Sequence, residues 1–235
     1  FAVRTQRRVV LVMGMPQMLA MSVAEVQVIL AHELAHFRSG DTTLTVFLFR
    51  LAETARQNAA ELRRTRYWWL DPVYWYFVLY QQLFQWTSAP WRRSHELIAD
   101  QASAAAFGGE LAADTLLKDW FIECQFDESL DEFIRRGIRD QSVYEFFMSR
   151  LQDFTPESHA YLERRLADLE RSAWWADQPT MKQRLKCMRS FPELTPVDTR
   201  AAIDLISESQ LMRIERELSE KLLAQRRHAN PLPSE

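Results

Sequence analysis

His32 and His36 stand four residues apart with Glu33 directly after the first of them, which gives the pattern H-E-x-x-H. On a helix of about 3.6 residues per turn the two imidazoles lie one above the other and can grip one metal ion from the same face. Glu33, one position on, leans beside that face, where it can take a proton from a metal-activated water without serving as a ligand. The chemistry implied is metal-assisted hydrolysis. Three fixed positions also arise by chance on an ordinary amphipathic helix, so the elements around them carry the weight of the reading.

Ser22 and Glu25 form the S-x-x-E capping box, so the motif's helix is expected over 23–39. Val26, Ile29, Leu30, Leu34 and Phe37 recur along it at helical spacing, and Gly40 supplies a stop. Upstream, residues 8–13 are short and β-branched and are bounded by Gly14 and Pro16, which reads as a single strand. Downstream, a helical hairpin is expected over 42–88. Its first arm is 42–66, and its second is opened by Asp71 as N-cap and Pro72 at the first helical position. Pro90 ends that arm, and a further helix runs over 91–107 to Gly108 and Gly109. Beyond lie amphipathic helices near 110–124, 128–137, 140–152 and 157–173, one after Pro179, and a last one over 199–227. No internal repeat is present, and the end of the chain, 229–235 with Pro231 and Pro233, is expected to be disordered.

Composition agrees with a mainly α protein. Five glycines and nine prolines in 235 residues are few, and runs of Ala, Leu, Glu, Arg and Gln favour helix. A net charge of −3 offers no bulk attraction to nucleic acid, and no recognition motif for it occurs. Cys124 and Cys187 are far apart, which excludes a cysteine-rich metal site and makes a disulfide framework a poor fit. Phe1 in place of an initiator methionine suggests a piece of a longer protein, with any signal or anchor upstream.

The segment 67–91 is crowded with Trp, Tyr and Phe, and residues 67–86 are about long enough to cross a bilayer. Asp71, Gln81 and Gln82 are unwelcome there, and arginines flank both ends without asymmetry. Arg50, Glu53 and Arg56 make 42–66 a poor span as well. If residues on either side of the hairpin share one metal, the chain between them crosses an even number of times, so neither arm is expected to span. The favoured expectation is a buried hairpin with an aromatic core. The alternative is an interfacial one, with aromatic rings at headgroup level.

Two histidines do not complete a catalytic zinc site, which needs a third protein ligand and a position open to water. The sixth residue after His36 is Thr42, so the long pattern with a third histidine there is excluded. Asp41, His95, Glu96 and His159 are the other candidates, and Asp41 is better explained as a helix N-cap. Glu96 and Asp100 stand four apart on one face. Glu96 could ligate there while Asp100 accepts the free N–H of a ligating imidazole. His95 points about 100° away around the helix. Glu96 is preferred.

These residues resemble a known family. His32-Glu-Leu-Ala-His36 followed by Gly40 and Asp41, a hydrophobic hairpin, then Arg93, Glu96, Ala99 and Asp100 are similar to the HtpX and CAAX-prenyl-protease type of gluzincin metallopeptidase, bacterial membrane-anchored members above all. The resemblance is specific over 1–109. Beyond it, Pro179 and Arg184 sit in what looks like the family's late T-H-P…R segment, with Gln178 where relatives usually carry His. The resemblance implies a zincin-like domain over 1–109, a helical C-terminal part over 110–228, and one Zn²⁺ per chain held by His32, His36 and Glu96. It further implies Glu33 as catalytic base, Asp100 behind the ligands, and a protein or peptide substrate. With that late His replaced, Arg93, His159 and Arg184 are unranked candidates for steadying the oxyanion. Relatives of this type suggest a membrane-associated protein whose catalytic part faces the cytoplasm. The competing expectation is a non-catalytic or sensory relative that binds a partner through the zinc fold.

Overall fold

The computed structural model describes residues 2–5, 8–38, 53–64, 67–138, 140–151, 162, 178–194 and 198–229. The helix α2 (Val23–Arg38) is its organising element. Ser22 and Glu25 start it as a reciprocal cap. The Ser22 Oγ accepts from the Glu25 N–H at 3.3 Å, and Glu25 Oε2 accepts from the Ser22 N–H at 2.7 Å. A distant segment serves the next donors of the first turn. The Val23 N–H donates to the Arg200 carbonyl at 2.8 Å and the Ala24 N–H to the Asp198 carbonyl at 3.1 Å. Helix starts leave such donors without intrahelical partners, so this pins the C-terminal segment to the metal-motif helix.

Before α2 come a hairpin and a short helix, α1 (Met15–Ala20). Strand β1 (Ala2–Thr5) pairs antiparallel with β2 (Arg8–Leu11), Ala2 opposite Leu11 and Thr5 opposite Arg8. The stretch 8–13 reads as a single strand. The ladder is shorter and two-stranded, because the four residues before its turn are too few for a readable alternation.

After α2, the Gly40 stop, Asp41, Thr42 and the start of the first hairpin arm lie outside the described residues. The arm is helical over 53–62, here α3. A single 3₁₀ turn, Trp68–Leu70, leads to the Asp71 cap, whose Oδ1 accepts from the Val73 N–H at 2.8 Å. The helix that follows, α4 (Pro72–Phe107), is 36 residues long and runs through Pro90. Two helices broken at Pro90 were expected. Pro90 cannot give an N–H to the carbonyl one turn back, a local cost. Its ring lies on the exposed side, and downstream packing on α2 keeps the helix going.

Gly108, at φ 98°, ends α4 in a conformation that L side chains rarely adopt. The next helix, α5 (Gly109–Arg136), is continuous where the sequence pattern predicts two helices, 110–124 and 128–137. Asp127, at the junction, lies with Glu128 and Asp131 on its solvent side, and the helix does not break there. Gly109 is packed against the carbonyls of Met188 and Phe191 so closely that any side chain there would collide. Then come α6 (Val143–Arg150), α7 (Met181–Met188) and α8 (Glu208–Ala229), the first two opened by the reciprocal caps Ser142/Glu145 and Thr180/Gln183. The expected helix over 157–173 lies outside the described residues except at Leu162, as does the tail beyond Ala229.

One cluster of the core joins Val28 of α2 to Ala104, Ala112, Ala113, Leu117, Leu185 and Met188. Small residues at Ala104, Ala112 and Ala113 let α4 and α5 approach closely under the metal motif. The aromatic segment is not part of this core. Trp75 is 53% exposed, Tyr76 64% and Leu79 58%, which overturns the expectation of a buried aromatic hairpin. Among the described residues, Tyr76, Phe77 and Tyr80 of that half of α4 face Thr54, Ala55 and Asn58 of α3 across a shallow pocket. Among the described residues no helix is long and apolar enough to cross a membrane.

Candidate metal centre

Because α2 is regular through the motif, His32 and His36 are stacked one turn apart with their Nε2 atoms 3.2 Å from each other. Their rings stand nearly perpendicular, at 81°. The second half of α4 crosses α2 and brings in Glu96. Its Oε2 is 3.7 Å from His32 Nε2, and its Oε1 is 3.7 Å from His36 Nε2. One ligand atom from each of the three residues can be chosen with all of them within 4.8 Å of one another. Donors about 2.0–2.1 Å from a tetrahedral zinc stand roughly 3.3 Å apart, so the donor set fits that ion in spacing and in kind.

Asp100 lies one turn after Glu96 and is fully buried. Its Oδ1 is 3.1 Å from His32 Nδ1. A carboxylate only accepts, so Nδ1 carries the proton and Nε2 keeps its lone pair turned toward Glu96 and His36. Arg184 of α7 clamps the same carboxylate, Nε to Oδ2 and Nη2 to Oδ1, each at 2.7 Å. Burial opposes ionisation of Asp100 most strongly, but the hydrogen bonds from Arg184 and then His32 outweigh it together and hold its pKa below the usual carboxylate range.

The other candidates fall elsewhere. The His95 ring packs against Trp91, centroids 4.3 Å apart, on another side of the helix. Arg93 sits one turn before Glu96 on α4. Arg184 gives Nε and Nη2 to Asp100 and also lines the cavity beside His32 and Glu33. Asp41 and His159 lie outside the described residues.

Glu33 lines a cavity of about 160 Å³ that it shares with His32 and Arg184. The same cavity holds a residue that sequence reasoning passed over, Asp119 of α5. Burial is the main cause that raises its pKa, and the nearby Glu33 adds to the effect, while a hydrogen bond with Gln17 and the charge of Arg184 oppose it. The signal was present. Ala112, Thr115, Leu116 and Asp119 follow helical spacing, so an acid occupies an inward stripe of α5.

The geometry has a counterpart in comparison with known proteins. The model of peptidase family M48 matches residues 1–189. The chain belongs to that family. Its matched region extends well past residue 109, where the motif-based resemblance was specific, and takes in α5 and the Arg184 helix. M48 peptidases are zinc-dependent proteases, which agrees with the His-His-Glu donor set. Searches of curated proteins and of solved structures give no match.

Proposed function

We propose that this M48 member is a zinc-dependent endopeptidase in which His32, His36 and Glu96 hold one Zn²⁺ and Glu33 is the general base. The observation that carries the reading is the convergence of three donors at zinc spacing, with a buried carboxylate fixing the tautomer of the first. When bound, zinc supplies a Lewis acid for the peptide carbonyl and brings the pKa of its water to about 7. Glu33 accepts the proton of the attacking water and hands it to the leaving amine. Asp100 and Arg184 hold His32 in place, so the ring does not turn as charge develops in front of it. The free edge of the N-terminal hairpin offers backbone partners to an extended substrate, which would align many sequences alike.

The site of action proposed is a membrane surface. Val73, Tyr76, Leu79, Leu83 and Trp86 lie along one side of α4 at three- and four-residue spacings, and all are exposed. Arg63 and Arg64 stand at the near end of the hairpin, where anionic headgroups would meet them.

The decisive experiment for catalysis is Glu33→Gln. The variant is expected to bind zinc as the parent does and to lose casein hydrolysis by about 10²-fold or more. Full activity in Glu33→Gln would sink the assignment. Zinc bound by the parent with no turnover of casein would make the chain a non-catalytic relative.

A further inference from the structure

The cavity beside Glu33 is not needed to hold a metal, and its lining is mixed in a way that selects. Val28, Ile29, Leu116 and Met188 give it apolar walls. Several of its polar groups are turned to the protein. Thr115 Oγ1 donates to the Leu111 carbonyl at 2.7 Å, Ser103 Oγ donates to the Asp100 carbonyl at 2.9 Å, and Arg184 is clamped on Asp100. Asp119 is different. It is a carboxyl group on the wall of a space about 160 Å³ in volume, with Gln17 as a hydrogen-bond partner. A carboxylate offers about four acceptor sites; the cation of the same cavity, Arg184, gives its Nε and Nη2 hydrogen bonds to Asp100, so Asp119 feels that charge only at a distance and keeps acceptor sites for a cation of its own.

We propose that this cavity receives a side chain of the substrate next to the bond being cut, and that Asp119 makes it select a basic residue. The inference rests on the peptidase reading above. A lysine suits the space. A cavity of about 150 Å³ accepts benzene, so four methylenes fit along Val28, Ile29, Leu116 and Met188, and the ammonium reaches the carboxylate. An acidic side chain would meet Asp119 and Glu33 together and is rejected. Because Glu33 lines the same cavity, a side chain seated here holds its own backbone beside the general base. Asp119 is thus a specificity-determining residue, contributed by α5 from outside the metal motif.

The test is binding to the zinc-loaded Glu33→Gln protein, in parallel with hydrolysis by the parent. The probe is an alanine pentapeptide carrying lysine, norleucine or glutamate at each position in turn. At one position lysine is expected to bind about tenfold tighter than norleucine, whose stem is the same. Adding Asp119→Asn brings that ratio to about one, and Asp119→Lys turns the preference to glutamate. A ratio is read because general damage to the fold would weaken both peptides alike. Lysine and norleucine binding equally at every position, or a lysine preference that Asp119→Asn leaves in place, overturns the proposal. A lysine preference lost in Asp119→Asn without any hydrolysis by the parent keeps the pocket and removes the peptidase reading. Hydrolysis with a preference insensitive to Asp119 does the reverse.

Discussion

Asp100 joins three elements through one side chain: it sits on α4, orients an imidazole on α2 and is clamped by a guanidinium on α7. Removing its charge takes from Arg184, which is only 13% exposed, its bidentate partner and leaves the Glu96 carboxylate at 3.7 Å as the nearest one. Asp100→Asn is therefore expected to lower stability by about 1–3 kcal/mol, since a largely buried guanidinium loses its hydrogen-bonded charge partner and keeps only a looser one. It should also weaken zinc binding by about tenfold or more, through the freed His32 ring. Urea unfolding and a zinc titration read the two effects. A variant that keeps both would show that His32 is fixed by other means. Asp119 sets a different dependence. Its folded pKa is raised above the ordinary 3.8, so below that pH it is protonated in both folded and unfolded chains and contributes no penalty. As pH rises through the folded pKa, the anion is forced into a poorly solvated place and that stability is lost. Asp119→Asn carries no such term. Its stability relative to the parent should rise as pH is taken from about 4 upward and then level off. A difference that stays flat across the range would contradict the burial argument.

At the scale of elements, α4 does two jobs with its two halves. The second half lies on α2 and delivers Glu96 and Asp100, while the first half carries the aromatic stripe away from the core. Pro90 joins them as an interior residue of one helix. A proline inside a helix costs about 3 kcal/mol relative to alanine, and the exposed ring of Pro90 has little packing to lose. Pro90→Ala is expected to stabilise the protein by roughly 1–3 kcal/mol, measured by urea unfolding. No gain, or a loss, would mean that the two halves are independent helices meeting at a break. Much of the element order was legible in the sequence because capping chemistry is local. The Ser22/Glu25, Ser142/Glu145 and Thr180/Gln183 pairs and the Asp71 cap each mark a helix start. The ends were harder to read. Pro90 and the gap at 125–127 both read as breaks, and tertiary contact overrides each of them.

For the molecule as a whole, the arrangement sets a metal motif on one side of a small helical core and an apolar aromatic stripe on the hairpin. If that stripe works at a membrane surface, the protein should float with vesicles containing anionic lipid and stay behind with neutral ones at moderate salt. Tyr76→Glu combined with Leu79→Glu should abolish flotation while casein hydrolysis persists. Equal recovery of parent and variant would sink the membrane proposal and leave the stripe as a surface for some other protein.

The sequence by itself determined the motif helix, its start, the two histidines and the preference for Glu96 with Asp100 over the other candidates. Each of these is a matter of spacing within one helix, and helical geometry is fixed by the backbone. It did not determine what stands behind and beside the metal ligands. Arg184 reaches Asp100 across 84 positions of chain, and Asp119 reaches the Glu33 cavity from α5. Nor did it reveal that the aromatic half of α4 faces outward, since an aromatic stripe at helical spacing reads the same whether a core or a solvent lies beyond it. Those facts depend on which helix faces cross, and only the packed structure decides that.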